Sequence, residues 1–425
     1  MPVKWIVLAL AVLMYVCIVI FPSKKSLSAL GAAVLVLILG VVSPKTALTE
    51  LINWNVLMIF VGSLVIAELF IYSRVPAVIA DSIVLHSPNT GLAIVAILMM
   101  TGIISAFVEN VATVLVMAPI ALALCTKLKL DPSYFMVGLA VMANLQGTAT
   151  LVGDPPSMIF ASYAGYGFND FFIYQGKPSI FFAIQAGMIA GALFFYGFFA
   201  GGKKHIEIEK EKIVSMVPSI LLILMIAGLA VVSFVFGGIS LASGLLVIVL
   251  AVIGILWYKY ICHKDNNTLW KMVKGLDWDT VLFLIGIFVV VGGIAATGLL
   301  EDFAAFLSRV IGANVLLGFI LILGVSTLIS GFVDNVPYII VMLPVAAKLA
   351  ADLSLKPELY MFALLVGSCL GGNLTCFGAS ANIVSMGILR KQGVNMNFGR
   401  WLKIGIPFTL ITVTVSAAFI WFVWR

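Results

Sequence analysis

Apolar runs long enough for a helix to cross a bilayer recur along most of this chain. Runs near or above the roughly 18 residues that a spanning helix needs lie at about 4–22, 26–43, 55–72, 178–200, 215–235, 240–258, 278–297 and 403–424. Two further regions, about 90–165 and 314–390, are equally apolar but are interrupted by Gly, Pro and carboxylates. Polar residues gather in two long loops, 201–212 and 259–279. The pattern predicts an all-α polytopic membrane protein, because a helix satisfies its own backbone hydrogen bonds where water is absent.

Composition agrees. The chain is 63% hydrophobic and 10% charged, with a mean hydropathy of +1.21, more apolar surface than a soluble core needs. The net charge of +6 and pI near 9.0 do not imply a nucleic-acid partner, since the basic residues sit in short loops, as membrane orientation requires. The five cysteines (Cys17, Cys125, Cys262, Cys369, Cys376) form no CxxC pair, and with three histidines in all no transition-metal site is expected. No Ser/His pair or metal cluster suggests an enzyme, and no nucleotide-binding motif suggests a primary pump. The first apolar run lacks a small-residue cleavage site and is followed at once by another span. We expect it to be retained, not cleaved as a signal peptide.

The two interrupted regions repeat one another. Adding 225 to a position in the first gives its partner in the second: Glu109 and Asp334, Asn110 and Asn335, Pro119 and Pro344, Pro132 and Pro357, Gly147 and Gly372, Thr150 and Thr375, Gly153 and Gly378. Upstream, at an offset of 224, Trp54 pairs with Trp278 and Gly62 with Gly286. Duplicated halves with helices interrupted at corresponding positions point to the binding site of a secondary transporter. The expected layout is a first repeat over 1–200, with a hairpin at about 90–127 and an interrupted helix at about 134–165. A cytoplasmic linker follows at 201–214. The second repeat covers 215–425, with a hairpin at about 314–352 and an interrupted helix at about 358–390.

If each hairpin enters and leaves on one side, each half crosses the membrane five times: three helices, the interrupted helix and a final helix. Five is odd, so the second half is inverted. Lys and Arg test this. With both termini outside, the basic residues of 24–25, 74, 127–129, 203–212, 259–274 and 390–403 all fall inside, as the positive-inside bias requires. Hairpins that crossed fully would put the basic loops of the second half outside.

The chemistry concentrates at two elements per half. At the hairpin tips stand Glu109-Asn110 and Asp334-Asn335, with Pro337 expected at the first position of a helix capped by Asn335. An ionisable residue at membrane depth is functional by default, so these four are expected to bind a coupling cation or proton. A carboxylate there could also be only a helix cap. The second element is the break in each interrupted helix, 143–160 and 369–387, where Thr148, Thr150, Gly153, Ser157, Asn373, Thr375, Gly378, Ser380 and Asn382 are candidates to line a substrate site. Broken helices present carbonyl ends that suit cations and amide ends that suit anions, although small-residue packing also uses Gly, Ser and Thr. Asp154 has Ala379 opposite it in the second half. It is a candidate cation ligand or proton carrier, and equally a cap for the helix starting at Pro155. No cofactor or resident metal is expected beyond a sodium ion at these groups.

The stretches VENVATVLVMAPI (108–120), GTATLVGDPPSMI (147–159), VDNVPYIIVMLPV (333–345) and GGNLTCFGASANIV (371–384) resemble the arsenite permease and P-protein branch of the ion transporter superfamily. That citrate-transporter-like superfamily also holds sodium/proton antiporters and sodium-coupled di- and tricarboxylate carriers. The resemblance covers nearly the whole chain. One departure stands out: the P-like pattern has Asn after Gly-Asp-Pro-Pro, where this chain has Ser157. The resemblance implies an inverted-repeat fold, elevator-type movement of hairpins and interrupted helices, and a homodimer. The expectation is therefore an ion-coupled carrier of the plasma or inner membrane, moving arsenite or a small anion on a proton or sodium gradient. A sodium/proton antiporter is the alternative, and a gated channel a more distant one.

Overall fold

The structure is a computed structural model describing residues 3–21, 24–199, 211–235 and 241–425; residues 201–210 of the expected linker lie outside them. In the first half, α1 (Val3–Ile20) and α2 (Lys25–Ile38) are followed by the short turn α3 (Pro44–Thr46), which widens into a π turn (Ala47–Leu51). Then come α4 (Trp54–Tyr72), α5 (Val75–His86), α6 (Thr90–Ser105), α7 (Asn110–Leu128), α8 (Ser133–Gly147) and α9 (Pro155–Ala164). A two-stranded ribbon, β1 (Ile173–Tyr174) and β2 (Lys177–Pro178), leads into α10 (Ile180–Phe199). The second half runs α11 (Val217–Val235), α12 (Ala242–Tyr260), α13 (Asn266–Lys274), α14 (Trp278–Ala296), α15 (Leu299–Ile311) and α16 (Val315–Ser330). It ends with α17 (Asn335–Asp352), α18 (Glu358–Gly371), α19 (Ser380–Lys391) and α20 (Phe398–Trp424). All eight expected spans are helices, and among the described residues nine helices are long and apolar enough to cross a membrane. The helices α5 and α15, which precede the hairpins, were not expected. At 12 and 13 residues they are too short to register as spans.

The repeated residues mark where the halves interlock. Gly62 on α4 meets α12, where an added Cβ would lie 2.8 Å from the Val247 side chain. Its partner Gly286 on α14 meets α2, where a Cβ would lie 2.6 Å from the Ala29 backbone. Each half thus lends its second helix to the other half's fourth, through glycines that allow close approach. The indoles of Trp54 and Trp278 do matching work, donating to the carbonyls of Leu48 (2.8 Å) and Val273 (2.7 Å) in the segment before each helix.

Both ends of each hairpin sit together. Gly91, at the start of α6, lies against the Phe199 carbonyl. Tyr134, just after α7, meets Phe198 edge-on at 5.2 Å. The first hairpin therefore begins and ends beside the C-terminal end of α10. In the second, the Tyr360 hydroxyl after α17 donates to the Val315 carbonyl that opens α16, at 3.1 Å. Phe319 and Phe362 pack on Trp421 and Trp424, each at 5.2 Å, near the end of α20.

Polar contacts between connecting segments fall into two groups. Arg400 pairs with Asp131 at 2.6 Å, Arg74 with Glu211 at 2.8 Å, and the Glu211 amide donates to Asp81 at 2.8 Å. In a separate group, Lys4 pairs with Asp302, Lys356 donates to Gln175 at 2.8 Å, and Lys177 to the Val423 carbonyl at 2.8 Å. The expected inverted arrangement would put the first group inside and the second outside. Single cysteines replacing Lys127 and Lys356 are expected to react with an impermeant maleimide from opposite sides of the membrane, Lys127 from inside. Labelling of both from one side would remove the inverted arrangement.

Candidate functional site

The sequence motif Gly-x-x-Thr-x-x-Gly makes the breaks. After α8 the chain turns back so that Gly153 rests on the carbonyl of Gly147, where a Cβ would be 2.2 Å away. After α18, Gly378 rests on Gly372 in the same way, at 2.5 Å. No side chain fits either position. The threonine midway along each loop points to a hairpin. Thr150 donates to the Ala106 carbonyl and Thr375 to that of Gly331, the residues that end α6 and α16. Both threonines are buried. Their hydroxyl protons are committed to fastening each tip to its own break.

The carboxylates at the tips cap the second hairpin arms. Glu109 accepts the Ala112 amide at 3.0 Å and Asp334 that of Val336 at 3.0 Å. The second cap lies one residue earlier than expected: Asp334, not Asn335, is the cap, and Pro337 falls at the third helical position. Pro is acceptable there because first-turn amides have no partner within the helix. The cap frees Asn335 to reach the cavity wall. Asp154 is likewise a cap, accepting the Ser157 amide at 2.9 Å, and is 2% exposed.

A cavity of about 320 Å³ collects these elements. Of the expected residues, Glu109, Asn110, Asp154, Asp334, Asn335, Gly378 and Ser380 line it. Thr148, Thr150, Gly153, Ser157, Asn373, Thr375 and Asn382 stand behind its wall, all of them buried. There Thr148, Thr150, Asn373, Thr375 and Asn382 bond to backbone carbonyls. The Asn382 amide donates to the carbonyls of Gly372 and Thr375, both at 2.9 Å. Thr148 faces the Asn144 carbonyl at 3.4 Å.

Sequence reasoning missed four wall residues. Asn144 joins the halves: it donates to Asn373 (2.9 Å) and Asn382 (2.8 Å) and faces Asn110 at 3.4 Å. Its isolation in an apolar helix was the available signal. Cys369, at the position matching Asn144, lines the cavity with Asp154. Lys25 and Asp277 look like loop charges in the sequence, yet both line the cavity. The Lys25 ammonium lies 3.6 Å from Asp334 and over the Phe283 ring at 5.4 Å.

The citrate transporter family pattern matches residues 15–367. The chain belongs to that family. It is 30% identical over 417 residues to an uncharacterized transporter of Mycobacterium tuberculosis, covering 96% of this chain and 95% of that one. It is 23% identical to the human P protein over 92% of this chain and 56% of the relative. Among solved structures, the YdaH transporter of Alcanivorax borkumensis shares the fold, with a TM-score of 0.60 at 14% identity over 88% of this chain and 86% of that one. A citrate transporter family member with this fold is a multi-pass membrane transporter and not an enzyme. The expected resemblance to the P-protein branch is borne out.

If Thr150 and Thr375 fasten tips to breaks, Thr150→Val and Thr375→Val each leave a buried carbonyl unpaired. We expect a loss of about 1–3 kcal/mol per site, read as a lowered unfolding temperature of the purified protein. Unchanged stability together with lost transport would make them ligands instead.

Proposed function

We propose that this chain is an ion-coupled secondary transporter of the plasma membrane that carries its cargo through the cavity shared by the two hairpin tips and the two breaks. The observation that carries the reading is the wall of that cavity. Glu109, Asp154, Asp277 and Asp334 face one lysine, Lys25. A carboxylate in a low-dielectric site is costly unless neutralised. Cations or protons therefore have to accompany each cycle, with Glu109 and Asp334 the coupling groups and Asp154 behind them. Asn110, Asn335 and Ser380 supply neutral hydrogen bonds to the cargo.

The same excess of acid bears on what is carried. A free multivalent anion would meet net repulsion, whereas arsenite, neutral at physiological pH, would not. A small anion would enter with its cations. Sodium/proton antiport is the second reading, favoured by the carboxylates outnumbering the lysine. Movement of the hairpins and breaks as one body is supported by the threonine fastenings and by the residues at the breaks being bonded across the halves. The contacts of the connecting segments and the positive-inside bias support an inverted pair with both termini outside. A homodimer follows from the resemblance alone.

The test is flux in proteoliposomes under imposed sodium or pH gradients, with arsenite, dicarboxylates and sodium as cargo. In the Glu109→Gln, Asp334→Asn double variant, dependence on the ion gradient is expected to vanish while the yield of folded protein holds. A double variant that still concentrates cargo with unchanged ion dependence would reduce both carboxylates to helix caps.

A further inference from the structure

The interlocked second and fourth helices of the two halves correspond in position, and their polar ends differ in charge. The caps of α4 and α14 are Asn53 and Asp277, which accept the amides of Val56 (2.9 Å) and Thr280 (3.0 Å). Two residues on, Asn55 accepts the Gly244 amide of α12 at 2.8 Å, and Asp279 accepts the Ser26 hydroxyl of α2. Ser26 and Gly244 are therefore counterparts. One residue earlier in each helix stand Lys25 and Ser243.

Each set borders a cavity. Lys25 and Asp277 line the cavity that holds the tips. Ser243, Asn53 and Asn55 line a second cavity of about 540 Å³, bordered also by Glu50 and Asp170 and containing neither tip. The two vestibules share one plan. One carries Lys25 and Asp277, with Asp279 bonded to Ser26 beside it, and the other carries Ser243, Asn53 and Asn55. Asp and Asn are nearly isosteric, so the fold is kept and only the charge is changed.

We propose that Lys25 is a built-in counter-ion that latches the second hairpin to this vestibule through Asp334, and that cation or proton binding at Asp334 releases it. The proposal rests on the reading of Asp334 as a coupling carboxylate. Lys25 is paired with Asp334 on the hairpin, 3.6 Å away, and shares its cavity with Asp277, the cap of α14, while Asp279 two residues on accepts from Ser26, the neighbour of Lys25. When a cation or proton neutralises Asp334, Lys25 still has these two carboxylates close by. Its own charge stays compensated as the hairpin leaves. Among the described residues no lysine lines the second vestibule, where Ser243 stands, so the first hairpin's Glu109 gains no matching latch from that position. The carrier without bound ion is thereby biased toward facing the Lys25 side, and in an exchange cycle this suppresses the unloaded return that would dissipate the gradient. Lys25 is a positioning residue and no ligand of the cargo.

The test uses a single reporter, Ser380→Cys in the otherwise cysteine-free full chain, because Ser380 lines the cavity and is exposed. An impermeant maleimide is applied to intact cells and to inside-out vesicles at alkaline pH without sodium. The parent should label from one side only. Lys25→Gln should raise labelling from the opposite side by about tenfold, the effect of removing roughly 1.4 kcal/mol of bias. Asp334→Asn should do the same, the two together no more than either, and Lys25→Arg should keep the one-sided pattern. Ser243→Lys, with Lys25 intact, tests the latch without deleting it and should also raise opposite-side labelling. One-sided labelling in Lys25→Gln beside two-sided labelling in Asp334→Asn would overturn the latch and leave the coupling role of Asp334 standing. Loss of ion coupling in the proteoliposome assay only at other carboxylates would overturn the coupling reading itself.

Discussion

Everything at the centre of this protein follows from one constraint: a backbone that leaves the helix within a bilayer must still satisfy its hydrogen bonds. Each half breaks a helix after α8 or α18, and each break exposes carbonyls and amides. The glycine pairs Gly147–Gly153 and Gly372–Gly378 let the chain close on itself in seven residues. The threonines at the midpoint then fasten the hairpin ends. Asp154 and Glu109 satisfy the amides that open α9 and α7, and Asp334 does so for α17. The carboxylates are thus structural before they are functional. Each spends one oxygen on its helix and has the other for the cavity, where that of Asp334 faces Lys25.

The second theme is broken symmetry. The plan of the fold is repeated, but the polar groups are dealt unequally. Asn144 faces Cys369 in the duplicated frame, Asp154 faces Ala379, and Ser157 faces Asn382. In the second half, Asn382 bonds the carbonyls of its break and accepts from Asn144. In the first half, a charged residue takes the cap position instead. The centre is therefore assembled from complementary halves, with one amide from α8 and one from α19 meeting across the join. A symmetric centre would present the same groups to both faces; this one does not.

Much of this was legible in the sequence. The spans could be read because length and hydropathy alone decide whether a helix crosses a bilayer. The hairpins and breaks could be read because Gly and Pro interrupt an apolar helix wherever they cluster, and here they do so at matched offsets in both halves. Three things were hidden. The short helices α5 and α15 carry too few residues to stand out. The division of the break residues between cavity and supporting wall depends on side-chain direction, which the motif does not encode: Thr150 and Ser380 look alike as sequence, yet one fastens a hairpin and the other faces the cavity. Lys25 and Asp277 were concealed by their position at helix starts, where charges ordinarily face water. Only the folding of the second helix of each half onto the other half brings them to the tips.

That last placement decides how the cavity balances its charge. The tips and breaks contribute Glu109, Asp154 and Asp334, while α2 and α14 contribute Lys25 and Asp277. If the first group moves against the second, the moving body brings three acids and no base to the cavity. Burying even one uncompensated carboxylate costs several kcal/mol, so the body can leave its vestibule only when its acids are protonated or accompanied by cations. Lys25 compensates part of that charge while the body is docked and cannot follow it. On the proposed reading, the requirement for a coupling ion would arise from where the cavity's lysine is anchored as much as from the carboxylates themselves.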